Sequence, residues 1–158
     1  MSADVKDADA KDTLFESINK MLDMGLTPAD MEKQIWQRYG KTQAVLILDS
    51  VGFTRITREK GTVYFLAQIL QMRNLLLPVF KQHKCSSTTT ENDSIFAYFD
   101  LPQQALDAAL SANKTLKKSQ LMLTDNEPFR ICIGIGFGEL LYSESLEGYY
   151  GNEMNLAS

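Results

Sequence analysis

The chain has 158 residues, 44% of them hydrophobic, and a formal net charge of −4 at neutral pH. That length fits one domain with at most a short appendage, and the apolar share is enough for a core and too high for a disordered chain. A net acidic chain without a basic stripe argues against a nucleic-acid surface, no apolar run reaches the roughly 18 to 20 residues of a bilayer span, and the first residues lack a signal-peptide pattern, so a cytoplasmic protein with neither nucleic-acid nor membrane partners is expected.

Residues 1 to 12 are polar and charged and read as a tail. A helix follows, with Leu14, Ile18, Met21 and Leu22 on one face and Gly25 closing it. Thr27 caps a second helix, Pro28 suits its first turn, Met31, Ile35, Trp36 and Tyr39 supply its apolar side, and Gly40 ends it. Residues 1–43 thus form a tail and helical extension ahead of a domain over 44–158.

The run from Val45 to Leu48 is short and apolar, which predicts a strand buried on both faces. Asp49 therefore leaves the carboxyl end of a strand, where open sheets present ligand sites. A simple turn cap is the alternative reading of that aspartate. Beyond the turn, Gly61 divides a short helix from a longer one, in which Leu66, Ile69, Leu70, Leu76 and Val79 predict a mostly covered surface and Pro78 predicts a kink. His83, the single histidine, reads as a solvated residue near that helix end.

CSSTTT and SIFAYF flank Glu91, Asn92 and Asp93 and predict a hairpin. Pro102 then opens a helix with Ala105, Leu106, Ala109, Leu110 and Leu116 on its buried side. From Phe129 to Phe137 the apolar residues alternate, which predicts a strand whose other face carries Cys132, Gly134 and Gly136. Those glycines fit close approach by a neighbouring helix better than a nucleotide-binding loop, because no strand-to-helix turn follows them. ELLYSES predicts a further short strand and GNEMNLAS the start of a helix. Cys85 and Cys132 form no CxxC pair and are expected as reduced thiols.

The order from Ala44 is strand, helix, strand, strand, helix, strand, the ferredoxin-like βαββαβ arrangement of an α+β fold. It brings Asp49 toward Asp93. Two converging carboxylates beside the amides of Gly52, Phe53 and Thr54 make a site for a divalent cation and a phosphate, which suits phosphoryl transfer.

LDSVGFT, TTTENDSIFAYF, FRICIGIGFGEL and GNEMNLAS, in this order and spacing, resemble the class III adenylate/guanylate cyclase catalytic domain, in a bacterial branch. The resemblance implies conversion of ATP or GTP to the 3′,5′-cyclic monophosphate and pyrophosphate at a head-to-tail homodimer interface, in intracellular signalling. By similarity Asp49, Asp93 and the Ser50 carbonyl hold two Mg²⁺ or Mn²⁺ ions, and Asn155 positions the ribose from the opposite protomer. Thr89 stands where adenylyl cyclases carry a base-reading lysine, and Gly148 where an aspartate completes base selection. Asn92 replaces a glycine before the second metal aspartate. The family carries a charge-stabilising arginine just after the position of Ser158, so the native chain is expected to continue, and loss of such a donor costs about 10² to 10³ in rate. Against the active enzyme stands a degenerate cyclase-like module that senses nucleotide or dimerises.

Overall fold

The computed structural model describes residues 12–143 and 148–151. Helix α1 (Leu14–Asp23) opens with a reciprocal cap: Thr13 Oγ1 accepts from the Glu16 amide, and the Glu16 carboxylate accepts from the Thr13 amide. Helix α2 (Pro28–Tyr39) is capped by Thr27, as its sequence predicts. Leu14, Met21 and Ile35 are buried between the two helices and against Leu141, forming a small core of their own. Leu22 is 60% exposed, not part of that face. It lies eight residues beyond Leu14, about 80° further round the helix.

Helix α2 passes into strand β1 (Gly40–Ser50) without a linker. A Cβ at Gly40 would lie 2.3 Å from the Trp36 carbonyl oxygen, so this junction needs glycine. Gln43 to Leu48 are buried, and β1 sits at the centre of a five-stranded antiparallel sheet. Its neighbours are β3 (Ser94–Phe99), itself paired with β2 (Ser87–Glu91), and β6 (Ile131–Ser143), itself paired with β7 (Gly148–Tyr150). The order β2-β3-β1-β6-β7 is the βαββαβ arrangement with one added edge strand. The strand β1 begins four residues before Ala44.

One face of the sheet, through Ala44, Leu46 and Leu48, packs against helices α3 (Phe53–Lys60), α4 (Thr62–Gln82) and α5 (Pro102–Ser119). Both longer helices bury a narrower ridge than their apolar pattern predicts. In α4 the ridge is Phe65, Ile69, Met72 and Leu76, whereas Leu66 and Leu70, one residue later and about 100° away, are 54% and 57% exposed. In α5 small residues Ala105, Ala108, Ala109 and Ala112 let the helix approach the sheet, and Leu106 and Leu110 are turned outward. Helix α4 runs through Pro78 to Gln82. Contrary to the apolar-run count, α4 has the length and hydropathy of a membrane span, yet its ridge lines the domain core.

His83 is not simply solvated: its Nε2 lies 2.9 Å from Ser111 Oγ, joining the end of α4 to α5. A small hairpin, β4 (Met122–Thr124) and β5 (Glu127–Pro128), intervenes before β6. ELLYSES does not start a new strand, because β6 continues unbroken to Ser143. Gly134 and Gly136 pair with Ile47 and Val45, so they lie on the sheet face away from α3–α5, and among the described residues no helix covers them there. The helix expected in GNEMNLAS lies outside the described residues.

Candidate active site

Two Asp-Ser dipeptides build the centre of the site. The first, Asp49-Ser50, ends β1; the second, Asp93-Ser94, spans the end of the β2–β3 turn and the start of β3. The antiparallel register pairs Leu48 with Ile95, so the next rungs set Asp49 opposite Ser94 and Ser50 opposite Asp93. Ser94 Oγ donates to Asp49 Oδ1, and Ser50 Oγ donates to Asp93 Oδ2 at 2.8 Å. All four residues are half-buried. Each serine thereby orients the other dipeptide's carboxylate, and a carboxylate held this way keeps further lone pairs for a cation.

The turn carrying Asp93 is fixed from two sides. Asn92 adopts a left-handed φ of 51°, the conformation that Asn tolerates better than most residues. Its carbonyl accepts from Arg73 Nη2 on α4 at 2.5 Å. Arg73 was not legible as a site residue, since one cation on a helix carries no motif. The repeated Asp-Ser dipeptide at two strand ends is a signal that could have exposed Ser94.

Beyond Ser50, the Val51 amide donates to the Arg130 carbonyl at 2.9 Å, which keeps β1 paired to its end. Gly52 then takes φ 96°, a left-handed value that turns the chain at once into α3. No side chain caps that helix, so its first amides, from Phe53 and Thr54, are left for an outside acceptor. The Phe53 ring packs edge-on against Phe65 at 4.6 Å and anchors the turn. A phosphate placed here would meet the positive end of α3. Arg55 is not available to such an anion: Glu127 holds it through bonds of 3.0 and 2.6 Å, and that bond is the main reason its pKa is raised.

Among the described residues no group of three or more His, Cys, Asp or Glu side chains forms a metal cluster. Two carboxylates with a backbone carbonyl nonetheless match the small protein share of a magnesium site, which takes its other oxygens from substrate phosphates and water.

Thr89 and Gly148 belong to a second corner. Thr89 lies on β2, paired with Phe96 and two residues before Glu91, where the strand gives way to the turn at Asn92 and Asp93. The Thr89 hydroxyl shares a sheet face with Tyr98, its diagonal neighbour in the β2–β3 register. Gly148 opens β7, and its neighbour Tyr149 reaches across the curled sheet to stack on Tyr98 of β3, at 3.5 Å and 12° between planes. Tyr149 Oη lies 2.6 Å from Ser87 Oγ. Burial pushes the Tyr98 phenol up to about 12, opposed by the nearby Thr89 hydroxyl, and raises Tyr149 for the same reason. The structure thus joins Thr89 to the β7 segment, while Asn155 lies outside the described residues.

No protein-family model matches the chain, and no curated protein matches it by sequence. Solved structures do match. The adenylate/guanylate cyclase/hydrolase from Silicibacter pomeroyi is 25% identical, with a TM-score of 0.60 over 75% of this chain and 67% of that one. The guanylate cyclase domain of RhGC from Catenaria anguillulae, in complex with GTP, is 19% identical, with a TM-score of 0.63 over 74% and 70%. A non-canonical dimeric guanylyl cyclase domain of the RhoGC fusion protein from Blastocladiella emersonii is 18% identical, with a TM-score of 0.62 over 74% and 71%. With this sheet order and these neighbours, the chain has the fold of the class III adenylate/guanylate cyclase catalytic domain.

Proposed function

We propose that the protein is a nucleotidyl cyclase that converts ATP or GTP to its 3′,5′-cyclic monophosphate and pyrophosphate. The observation that carries this reading is the reciprocal pairing of Asp49 with Ser94 and Asp93 with Ser50 beside the uncapped start of α3. Asp49, Asp93 and the Ser50 carbonyl would hold Mg²⁺ or Mn²⁺, two ions per site. Bound there, such ions neutralise the triphosphate and favour attack of the ribose 3′-oxygen on the α-phosphorus, with loss of pyrophosphate. The chain's own part is orientation. The two serines hold the carboxylates, Arg73 holds the turn, and the Phe53 and Thr54 amides offer donors to phosphate oxygens.

In a head-to-tail homodimer the second corner, with Thr89 and Gly148, would serve the partner's metal residues, and Asn155 would position the ribose. Thr89 brings only a hydroxyl to that corner and Gly148 no side chain, which favours a second reading: a degenerate module that binds triphosphate without turnover. A cytoplasmic signalling role belongs to the same proposal.

The test is product chromatography on full-length protein with ATP and with GTP, each with manganese, over a range of protein concentrations. The cyclase reading expects cyclic nucleotide, specific activity rising with concentration as dimer forms, and none from Asp49→Ala. Triphosphate binding by calorimetry without product would establish the second reading instead.

A further inference from the structure

The described residues enclose a second recess that the cyclase reading does not use. A cleft of about 900 Å³ lies between the last turns of α5, the β4–β5 hairpin and the first residues of β6. Pockets for small organic ligands fall at roughly 300 to 1,000 Å³. Its wall is apolar: Leu116 and Phe129, 6% and 4% exposed, back onto the main core, and Leu121, Met122 and Ile131 continue the lining.

Among the described residues the only charged ones lining the cleft are Lys117 and Arg130, and neither has a carboxylate partner. Of the two carboxylates on the adjoining hairpin, Glu127 is engaged by Arg55, and Asp125 makes no ion pair with either cation. At the end of α5 the Leu116 carbonyl accepts from Ser119 Oγ at 2.6 Å and the Lys117 carbonyl from the Gln120 amide at 3.3 Å, so the carbonyl of Lys117 itself is occupied. An apolar wall with two unpaired cations at its edge selects an apolar body bearing one negative group.

We infer that this cleft binds an amphipathic organic anion, an alkyl or aryl carboxylate. Val51 also lines the cleft, one residue after Ser50, so the ligand abuts the turn that leaves the carboxylate pair. An effect on turnover would rest on the cyclase reading; binding stands apart from it.

Decanoate is a suitable probe, and the protein carries its own reporter. Cys132 is exposed and borders the cleft at its β6 rim, opposite Asp49 in the register, whereas Cys85 is half-buried, does not line the cleft, and has its thiol pKa raised by burial. Reaction with a thiol-exchange dye should be fast at Cys132 and slow at Cys85. Decanoate should slow the Cys132 reaction in a saturable way and leave Cys85 unchanged, and decylammonium, equal in chain and opposite in charge, should not protect. The double variant Lys117→Gln/Arg130→Gln, both at exposed positions, should weaken decanoate by about tenfold or more. Three results would each overturn the inference: no saturable protection, equal protection by decylammonium, or undiminished affinity in the double variant. Parallel slowing of Cys85 would also overturn it, as detergent action. None of these readouts needs cyclase activity, so failure here and failure of the cyclase reading remain distinct.

Discussion

The carboxylate corner and the tyrosine corner occupy one sheet and obey different rules. At the first, every polar side chain is fixed by residues adjacent in the β1–β3 register: Asp49 by Ser94, Asp93 by Ser50. At the second, Tyr149 of edge strand β7 crosses two intervening strands to stack on Tyr98, and the Ser87 hydroxyl meets that of Tyr149. The first corner depends on local pairing and charge; the second depends on the curl of the whole sheet and on burial. Perturbations should separate them, with activity sensitive at one and stability at the other.

The largest effect is expected at the carboxylates. Asp93→Asn keeps the shape and the Ser50 contact but removes the charge that attracts a cation, so manganese-dependent product formation should fall by about 10³ or more. Its thermal midpoint without metal should stay close to wild type, while the midpoint rise on adding manganese, read by calorimetry, should disappear. A large loss of metal-free stability would mean that the corner is structural.

Next is Tyr98→Ala. Tyr98 is 1% exposed and packs with Val45, Ile47 and Leu140 on the face opposite α3–α5. Emptying that volume should cost about 3 to 5 kcal/mol by denaturant titration. If the loss were under about 1 kcal/mol, the stack would not be holding the curl.

The same contrast explains what the sequence revealed. The approach of Asp49 to Asp93 was legible because a bounded apolar strand and a turn between β-rich runs are local patterns, and antiparallel order aligns their ends; Ser50 entered only through the family resemblance. The tyrosine corner was not, since no local pattern in Tyr98 or Tyr149 states that β7 folds back over β3. Periodicity also overstated burial. Leu22, Leu66, Leu70, Leu106 and Leu110 fit their apolar stripes yet face outward, because a folded surface retains many apolar atoms and only one ridge per helix is covered. The β4–β5 hairpin escaped notice because strands of three and two residues are too short to show alternation.

Alkaline pH should act through the tyrosine corner. With the Tyr98 pKa raised from 10 to about 12 in the fold, folded and unfolded states are equally protonated below pH 10. Between pH 10 and 12 the unfolded chain loses this proton first, so stability falls as pH rises, by on the order of 2 kcal/mol. Tyr149, also raised, adds in the same direction. Urea titrations at pH 9 and 11 should show the loss, and Tyr98→Phe should reduce it; an unchanged slope in that variant would assign the effect to other groups.

The smallest effect tests the outermost contact of that corner. Tyr149→Phe keeps the ring on Tyr98 but removes the hydroxyl that meets Ser87 Oγ, which should cost about 1 kcal/mol. Ser87→Ala removes the same bond from the other side. If the two hydroxyls serve chiefly each other, the double variant should lose less than the sum of the singles, giving a coupling of about 0.5 kcal/mol or more. Additive losses would mean that each hydroxyl finds water in the other's absence, and the curl would then rest on the aromatic stack alone.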